Sequence, residues 1–484
     1  MILYLLLLIP LLGAAAIFAI GRERGVLAIA LLACTLETIA IAGTVWQVVT
    51  GGALQAGRYL RADALTAFYL LTLALVFALV LIYASGYMRH IRPGRFSSPR
   101  WFYGLLFLFY FTMAAVYLSA NLGMLWISVE ATTLASALLV GFYNTKGAVE
   151  AGWKYLIVCT VGIAFALFGT IAIYLAAVRC GVNASAALDW AVLMAEAPKL
   201  GAATDLVKLG FVFVAVGYGT KIGFVPMHSW LPDAHAEAPS PISALLSAVL
   251  LNCAMYSLLR FDAISVHAIG AGFSHSLLLI FGAISVTMAA FLMIVQRDFK
   301  RLLAYSSIEH MGLVALGAGI GGSVGLFGAL LHTFNHSIAK SLMFFVSGSV
   351  KDNYGTLRMK RIRGMAKWLP CSSAALIVGA LALTGMPPFG LFLSEFTILN
   401  AAFGAGNYVV AGIALAGLFV VFGALLHHFQ PMLAGKPPLA TPGRRPLATE
   451  LTVLCLCAAL LLLLGVQVPW LLSTLLQKAL AVLQ

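Results

Sequence analysis

One pattern runs along nearly the whole chain: apolar runs of about twenty residues, separated by short breaks of charge, proline or glycine. A run of that length crosses the roughly 30 Å hydrocarbon core of a bilayer as an α-helix. Of the 484 residues, 62% are hydrophobic and only 9% are charged, against about half and about a quarter in a soluble domain. A soluble fold cannot bury that much apolar surface, and in lipid only helices or closed barrels satisfy their own backbone polar groups. The predicted fold class is therefore an all-α polytopic membrane protein of about 14 transmembrane helices. Approximate limits are 2–20, 26–50, 64–87, 102–119, 121–143, 152–178, 205–228, 240–261, 271–295, 301–319, 324–349, 371–396, 405–428 and 448–467.

Loop charge tests that count. Basic residues concentrate on the cytoplasmic side of membrane proteins. Alternate loops, beginning with Arg22 and Arg24 and continuing through Arg89, Arg92, Arg95 and Arg100 to Arg444 and Arg445, hold 20 basic residues, and the opposite set, with Arg58, Arg61 and Arg260 among them, holds 6. One missed span would scramble the alternation, so the split supports fourteen crossings with both termini outside. The N-terminal run lacks the positive leader of a signal peptide and reads as the first span. Residues 187–200, too short and polar to cross, are expected along the outer interface, as are 468–484.

The net charge of +13 does not point to nucleic acid, because the basic residues sit in short loops and form no continuous face. The seven cysteines lie in or beside apolar runs without CxxC spacing and read as small packing residues. No extramembrane stretch is long enough for a soluble catalytic domain. No catalytic residue, cofactor or resident metal is expected in this chain, and its chemistry must lie within the bilayer or in partners.

A short set of ionisable residues remains inside the spans: Glu37, Glu130, Lys208, Lys221, Glu309, His310, His332, His336, Lys340 and Glu395. A charge at the bilayer centre costs roughly 2.5–3.5 kcal/mol on insertion scales, so such residues survive in bundle interiors and mark ion or proton paths. Lys221 lies deep in its run; a buried lysine can switch protonation when a nearby charge moves, whereas arginine cannot. Lys208, near the start of the same span, is expected to snorkel to the interface. "HTFNHSIAK" sets His332, His336 and Lys340 at i, i+4 and i+8, one stripe of a helix. Histidine carries protons near neutral pH. Two histidines four apart also bind zinc, but neither HExxH nor a third ligand accompanies them, and a polar packing seam between helices is the other reading.

Proline adds a second pattern. Pro226 interrupts the seventh span shortly after Lys221, and Pro387 and Pro388 interrupt the twelfth before Glu395. Broken helices at membrane depth need protein or water to satisfy their freed backbone groups. A matched pair five spans apart suggests an inverted repeat, as in transporters. The expected organisation is N-terminal helices (1–101), a first five-helix repeat (102–262), a second, inverted one (263–432), and the last helix with the C-terminal segment (433–484).

"GTKIGFVPMHSWLPDAHAEAPSPISALL", "RDFKRLLAYSSIEHMGL" and "TGMPPFGLFLSEF" resemble the signatures of antiporter-like membrane subunits in respiratory complex I and Mrp-type Na+/H+ antiporters. "YSSIEHMG" and "NHSIAKSLMFFVSGS" look most like the hydrogenase-4 component F type of group 4 energy-converting, formate hydrogenlyase-like complexes. The resemblance implies a proton- or Na+-translocating subunit of a redox-driven complex in a bacterial or archaeal cytoplasmic (inner) membrane, beside other membrane subunits and peripheral hydrogenase and Fe–S subunits. It implies that Glu130 pairs with Lys221, that His332, His336 and Lys340 form a central relay, and that Glu395 is the terminal exchange group. Glu309 and His310 add a further site, and His228, Asp233, His235 and Glu237 guard proton uptake in a cytoplasmic turn.

The chain also departs from the family pattern. Many relatives place a histidine or lysine on the eighth span, where "SALLSAVLLNC" offers only Ser243, Ser247 and Asn252, so water must bridge the gap. Glu37 has no family counterpart. A Mrp-type or stand-alone Na+/H+ antiporter subunit, a complex I subunit and a non-conducting scaffold are the alternative readings.

Overall fold

The computed structural model describes residues 1–20, 23–90, 98–437 and 447–484. Arg22, Arg92, Arg95, Arg444 and Arg445, and the side chain of Arg24, lie outside the described residues. The chain begins with α1 (Ile2–Ala19) and α2 (Glu23–Gly51), then a small antiparallel hairpin of β1 (Leu54–Ala56) and β2 (Leu60–Ala62). The first half of the bundle follows as α3 (Ala64–Tyr87), α4 (Pro99–Leu118), α5 (Leu122–Val140), α6 (Lys146–Arg179), α7 (Trp190–Leu200), α8 (Thr204–Ile222), α9 (Trp230–Glu237), α10 (Ser240–Leu245) and α11 (Leu251–Ile269). The second half holds α12 (Ala271–Ile294), α13 (Phe299–Ile320), α14 (Gly322–Tyr354), α15 (Met365–Trp368), α16 (Pro370–Leu383), α17 (Gly390–Gly404) and α18 (Tyr408–Leu433). The chain closes with α19 (Ala448–Val466) and α20 (Trp470–Leu483).

Among the described residues, eleven helical segments are long and apolar enough to cross a membrane. The more polar α13 and α14, of 22 and 33 residues, and the broken α16–α17 pair complete the fourteen-span layout. Side-chain caps start several of them: Asp63 accepts from the Thr66 N–H at 2.9 Å to start α3, and Asn121 and Asp298 do the same for α5 and α13.

The distribution of polarity inverts that of a soluble protein. Leu32, Ile39, Leu138, Phe168, Phe291 and Phe419 point outward, whereas Lys221, Glu309, His310, His332, His336 and Lys340 are enclosed. An apolar rim facing lipid and a polar axis shielded by helices is the arrangement that keeps ionisable groups out of hydrocarbon. The least apolar long helices are thus also among the best covered. α14 is buried almost without interruption from Gly325 to Val350, packed by α3, α10, α13, α16, α17 and α19.

Both expected breaks are real, but each is a clean interruption and not a kink at proline. α8 stops at Ile222, where Gly223 takes a left-handed φ of +88°, and an irregular segment runs to α9. A side chain at Gly223 would also come within 2.6 Å of Leu231. The freed groups find protein partners: Trp230 Nε1 donates to the Thr220 carbonyl (2.8 Å) and Val225 N–H to Ser285 Oγ (3.1 Å). At the second break Asn335 Nδ2 donates to the Gly390 carbonyl at 2.7 Å, between α16 and the body of α17. Residues 227–241 were expected as a cytoplasmic turn; more than half of them form α9, which packs on α6 and α13 because Trp230, Leu231 and Ala234 supply an apolar face.

Arg260 corrects the loop-charge reading. It lies inside α11, which runs past the expected boundary, and is 2% exposed. Its guanidinium donates to Asp63 Oδ1 (2.7 Å) and Tyr256 Oη (3.1 Å) and stands 3.9 Å from the Trp190 ring of α7. A buried aspartate needs a paired cation, and sequence spacing does not show a partner almost two hundred residues away. Lys300 likewise is buried, donating to the Ala238 carbonyl at 2.6 Å. α7 and α20 are short helices packed on α11 and α3. Lys478 of α20 donates to the Val49 carbonyl (2.6 Å), tying α20 to the hairpin end of the molecule.

Candidate functional site

The site is a chain of polar side chains along the bundle axis, in two clusters. In the first, Lys221 is the penultimate residue of α8, held rigid by the Gly223 stop and fully buried. Its ammonium donates to Thr133 Oγ1 of α5 and to Tyr155 Oη of α6, both at 2.7 Å. The Tyr155 hydroxyl is 2.7 Å from Ser136 Oγ, which in turn is 2.5 Å from the Thr132 carbonyl. Because the ammonium can only donate, the chain has one direction: Lys221 to Tyr155, Tyr155 to Ser136, Ser136 to the carbonyl. Trp230 packs against the Tyr155 ring at 4.7 Å and keeps it in place.

Glu130 does not form the expected ion pair with Lys221: among the described residues no ion pair within 4.0 Å joins them. Its Oε1 accepts from Thr160 at 2.6 Å, Oε2 is buried without a protein partner, and the residue is half-buried. The hydroxyls of Thr133, one turn along α5, and Tyr155 take the place of the carboxylate. These hydroxyls went unnoticed in the sequence because Thr and Tyr are common in apolar helices and carry no spacing signal.

The second cluster forms around α14. His332, His336 and Lys340 are all fully enclosed on their expected stripe. His310 Nδ1 of α13 is 3.1 Å from His332 Nε2, and His332 Nδ1 is 3.0 Å from Ser394 Oγ of α17. The His310 ring lies 5.2 Å from that of His336. Lys340 Nζ donates to the Leu303 carbonyl at 3.1 Å, and that carbonyl also accepts from Ser307 at 3.0 Å. Glu309 Oε2 is 3.5 Å from His310 Nδ1.

Glu395 sits with this cluster and not apart from it: one carboxylate oxygen and one ring nitrogen each of His310 and His332 lie within 4.8 Å of one another. Gly385 makes that approach possible. It has a left-handed φ of +61°, and a β-carbon there would be 1.9 Å from Glu395 Oε2. Two of the three polar residues that the eighth span offers, Ser247 and Asn252, are placed as bridges. Ser247, in a π-helical turn at Leu246–Leu250, is 2.7 Å from Ser307. Asn252 donates to the Ala248 carbonyl (2.7 Å) and Ser337 Oγ (3.0 Å). Ser243 instead turns back to the His235 carbonyl at 3.0 Å.

Many polar atoms here have no protein partner: both oxygens of Glu309, both ring nitrogens of His336, His310 Nε2, Glu395 Oε1 and the Asn252 carbonyl oxygen. Buried polar groups are almost always hydrogen-bonded, to protein or to ordered water. A cluster so under-bonded by protein is suited to hydration.

The accessory residues divide. His235 is fully buried on α9, stacked 4.9 Å from Phe344 of α14, with neither ring nitrogen bonded. Asp233 is engaged by Arg301 at 2.5 Å, and His228 is half-buried beside Tyr305. Glu237 and Lys300 line a polar cavity of about 730 Å³ at the end opposite the hairpin, with Asp298, Lys351 and Asp352. Asp298, at the head of α13, has its carboxyl raised above the ordinary value by burial, against bonds from the N–H groups of Arg301 and Lys300. Lys208 is exposed on the bundle surface, 5.7 Å from the Phe273 ring, as a snorkelling residue should be. Glu37 is buried against α4, with Tyr110 Oη 3.4 Å from Oε1.

The chain is similar to known proteins over most of its length. The family described as "NADH:quinone oxidoreductase/Mrp antiporter, TM" matches residues 119–420. A "Hydrogenase-4 component F homolog" of Methylacidiphilum infernorum is 39% identical over 387 residues, covering 79% of this chain and 80% of its own length. "NADH-quinone oxidoreductase subunit N" of Desulforudis audaxviator is 31% identical over 488 residues, covering 96% of this chain and 94% of its own. The structure of the Mrp complex from Dietzia sp. contains a chain of the same fold, with a TM-score of 0.86 at 21% identity over 99% of this chain and 97% of that one. The match over the whole polar axis and the shared fold place this chain in the NADH:quinone oxidoreductase/Mrp antiporter transmembrane family.

Proposed function

We propose that this chain moves protons across a bacterial or archaeal cytoplasmic membrane as the antiporter-like subunit of a redox-driven complex of the hydrogenase-4 type. The carrying observation is the enclosed polar axis inside an apolar-surfaced bundle. It begins at Lys221, passes the Asn252–Ser337 and Ser247–Ser307 bridges, and ends in the cluster of Lys340, the histidines and Glu395. Such groups are costly to keep in a membrane, and where they persist they mark ion or proton paths. The M. infernorum relative supports the hydrogenase-type assembly by its name. Redox chemistry belongs to partner subunits in this reading, and the two five-helix stretches, 102–262 and 263–432, act as opposed halves.

In the arrangement described, Glu130 is bonded to Thr160 and Lys221 to hydroxyls. A shift of α5 that brings Glu130 to Lys221 stabilises the ammonium; its release lets Lys221 give up a proton through water toward the central cluster. Glu395, which touches that cluster, receives the proton there and passes it on. The polar cavity at Glu237 and Lys300, with His235 behind it, is the cytoplasmic uptake route.

The test is reconstitution of the whole complex in liposomes with a pH-sensitive dye. Lys221→Ala should abolish coupled proton movement while the complex stays assembled and its redox activity uncouples. Undiminished coupled transport in an assembled Lys221→Ala complex refutes the relay. Sodium-dependent exchange without redox substrate would replace the proposal with the antiporter reading.

A further inference from the structure

We propose that His310, His332 and Glu395 form a binding site for a divalent transition-metal ion of the zinc type, set within the central cluster. The three come from α13, α14 and α17, so only the fold assembles them. One nitrogen of each imidazole and one oxygen of Glu395 lie within 4.8 Å of one another, and the two histidines are fully enclosed.

Hydrogen bonding decides which atoms are free to ligate. Ser394 has one hydroxyl proton and gives it to a backbone carbonyl of its own helix, that of Leu391 at 2.9 Å. It can therefore only accept from His332 Nδ1, 3.0 Å away, which fixes the Nδ1–H tautomer of His332. The lone pair is left on His332 Nε2, facing His310 Nδ1 at 3.1 Å. A histidine anchored through one ring nitrogen and offering the other is the usual preparation of a metal ligand. Ligand atoms about 2.0–2.1 Å from a tetrahedral zinc stand ~3.3 Å apart, so the imidazole pair is already near the required separation. An ion there displaces the proton that His310 Nδ1 now donates to His332, and that proton moves to the other nitrogen of the His310 ring. His310 then carries its own proton on Nε2, an atom with no protein partner.

Charge and ligand type agree. Two imidazoles and a carboxylate suit zinc-like ions better than magnesium or calcium, which take all-oxygen sites. Glu395 neutralises one of the two positive charges. Glu309, whose oxygens have no hydrogen-bond partner and whose Oε2 is 3.5 Å from His310 Nδ1, is placed to offset the other. The sequence pairs His332 with His336 on one stripe, but the fold gives His332 a different partner, His310.

The functional consequence rests on the relay reading: a bound ion occupies the lone pairs that pass the proton and so blocks transport. Binding itself does not depend on that reading. The test uses the purified whole complex, stripped with chelator, incubated with micromolar zinc chloride and desalted, with bound zinc counted by mass spectrometry. His332→Ala, His310→Ala and the near-isosteric Glu395→Gln should each bind one zinc fewer per complex than the unaltered protein, and His235→Ala the same number. Ser394→Ala, which frees the His332 tautomer, should weaken binding about 10–100-fold. Cobalt substitution gives a second readout, a visible tetrahedral band lost in the same variants. Equal zinc counts in the unaltered complex and in assembled Glu395→Gln and His332→Ala overturn the site. Should zinc bind as expected while coupled transport survives Lys221→Ala, the relay falls and the metal site stands.

Discussion

Lys221 and Lys340 are both lysines buried at membrane depth, one in each half of the bundle, and the fold treats them differently. Lys221 meets two hydroxyls at 2.7 Å and heads a directional chain that ends on a backbone carbonyl. Lys340 meets a single carbonyl at 3.1 Å, amid imidazole and carboxylate atoms that no protein group satisfies. An ammonium held by two short bonds is expensive to move, because any displacement leaves donors and acceptors unmet in low dielectric. An under-bonded one can exchange partners through water at little cost. The first cluster is thus built as a latch and the second as a conductor.

Substitutions can break or sharpen that contrast. The largest effect is expected from Lys340→Met, which should lower coupled transport at least about 100-fold, the lower end for loss of a proton-transfer group. Transport in liposomes measures it, and a loss below ~10-fold would deny the central cluster its role. Next, Tyr155→Phe removes one of two bonds to Lys221 and breaks the directional chain. It should cost about 1–3 kcal/mol of stability, read as a lower midpoint in thermal unfolding of the complex, whereas His336→Phe, whose nitrogens have no protein partners, should cost less. Equal losses would erase the distinction between latch and conductor. Gly385→Ala should follow, costing about 1–3 kcal/mol through its left-handed backbone and displacing Glu395 besides; a fall in transport greater than the fall in thermal stability would show it. The smallest stability change belongs to Glu130→Gln. With no ion pair to Lys221 in this arrangement, the unfolding midpoint should move by less than the equivalent of ~0.5 kcal/mol, while coupled transport drops.

Much of the fold was legible in the residues because membrane insertion imposes a length and polarity rule on every span. Twenty apolar residues read as a crossing wherever they occur. The long stripe of His332, His336 and Lys340 was legible for a related reason, since helical period alone puts them on one face. The failures have a different physics. Arg260 and Lys300 looked like loop charges because each sits near the end of an apolar run, and only the opposing element reveals that they are buried. The resemblance pointed to Glu130 as the partner of Lys221, and the Thr133 and Tyr155 hydroxyls that hold the ammonium in this arrangement carry no signal in the sequence.

The sequence by itself determined the membrane-spanning class, the fourteen-helix plan, both helix breaks and the identity of the ionisable residues that cannot face lipid. Those follow from local composition and from the high cost of unpaired polarity in hydrocarbon. Only the tertiary structure decided which of those residues meet. It moved Glu395 from the periphery of the path to the side of His310 and His332, paired His332 across helices instead of along its own, and left Glu130 apart from Lys221. Distances between helices depend on how side chains interlock across the bundle, through left-handed glycines such as Gly223 and Gly385 and carbonyls freed at the breaks. Such contacts join residues tens to hundreds of positions apart, where local periodicity carries no information.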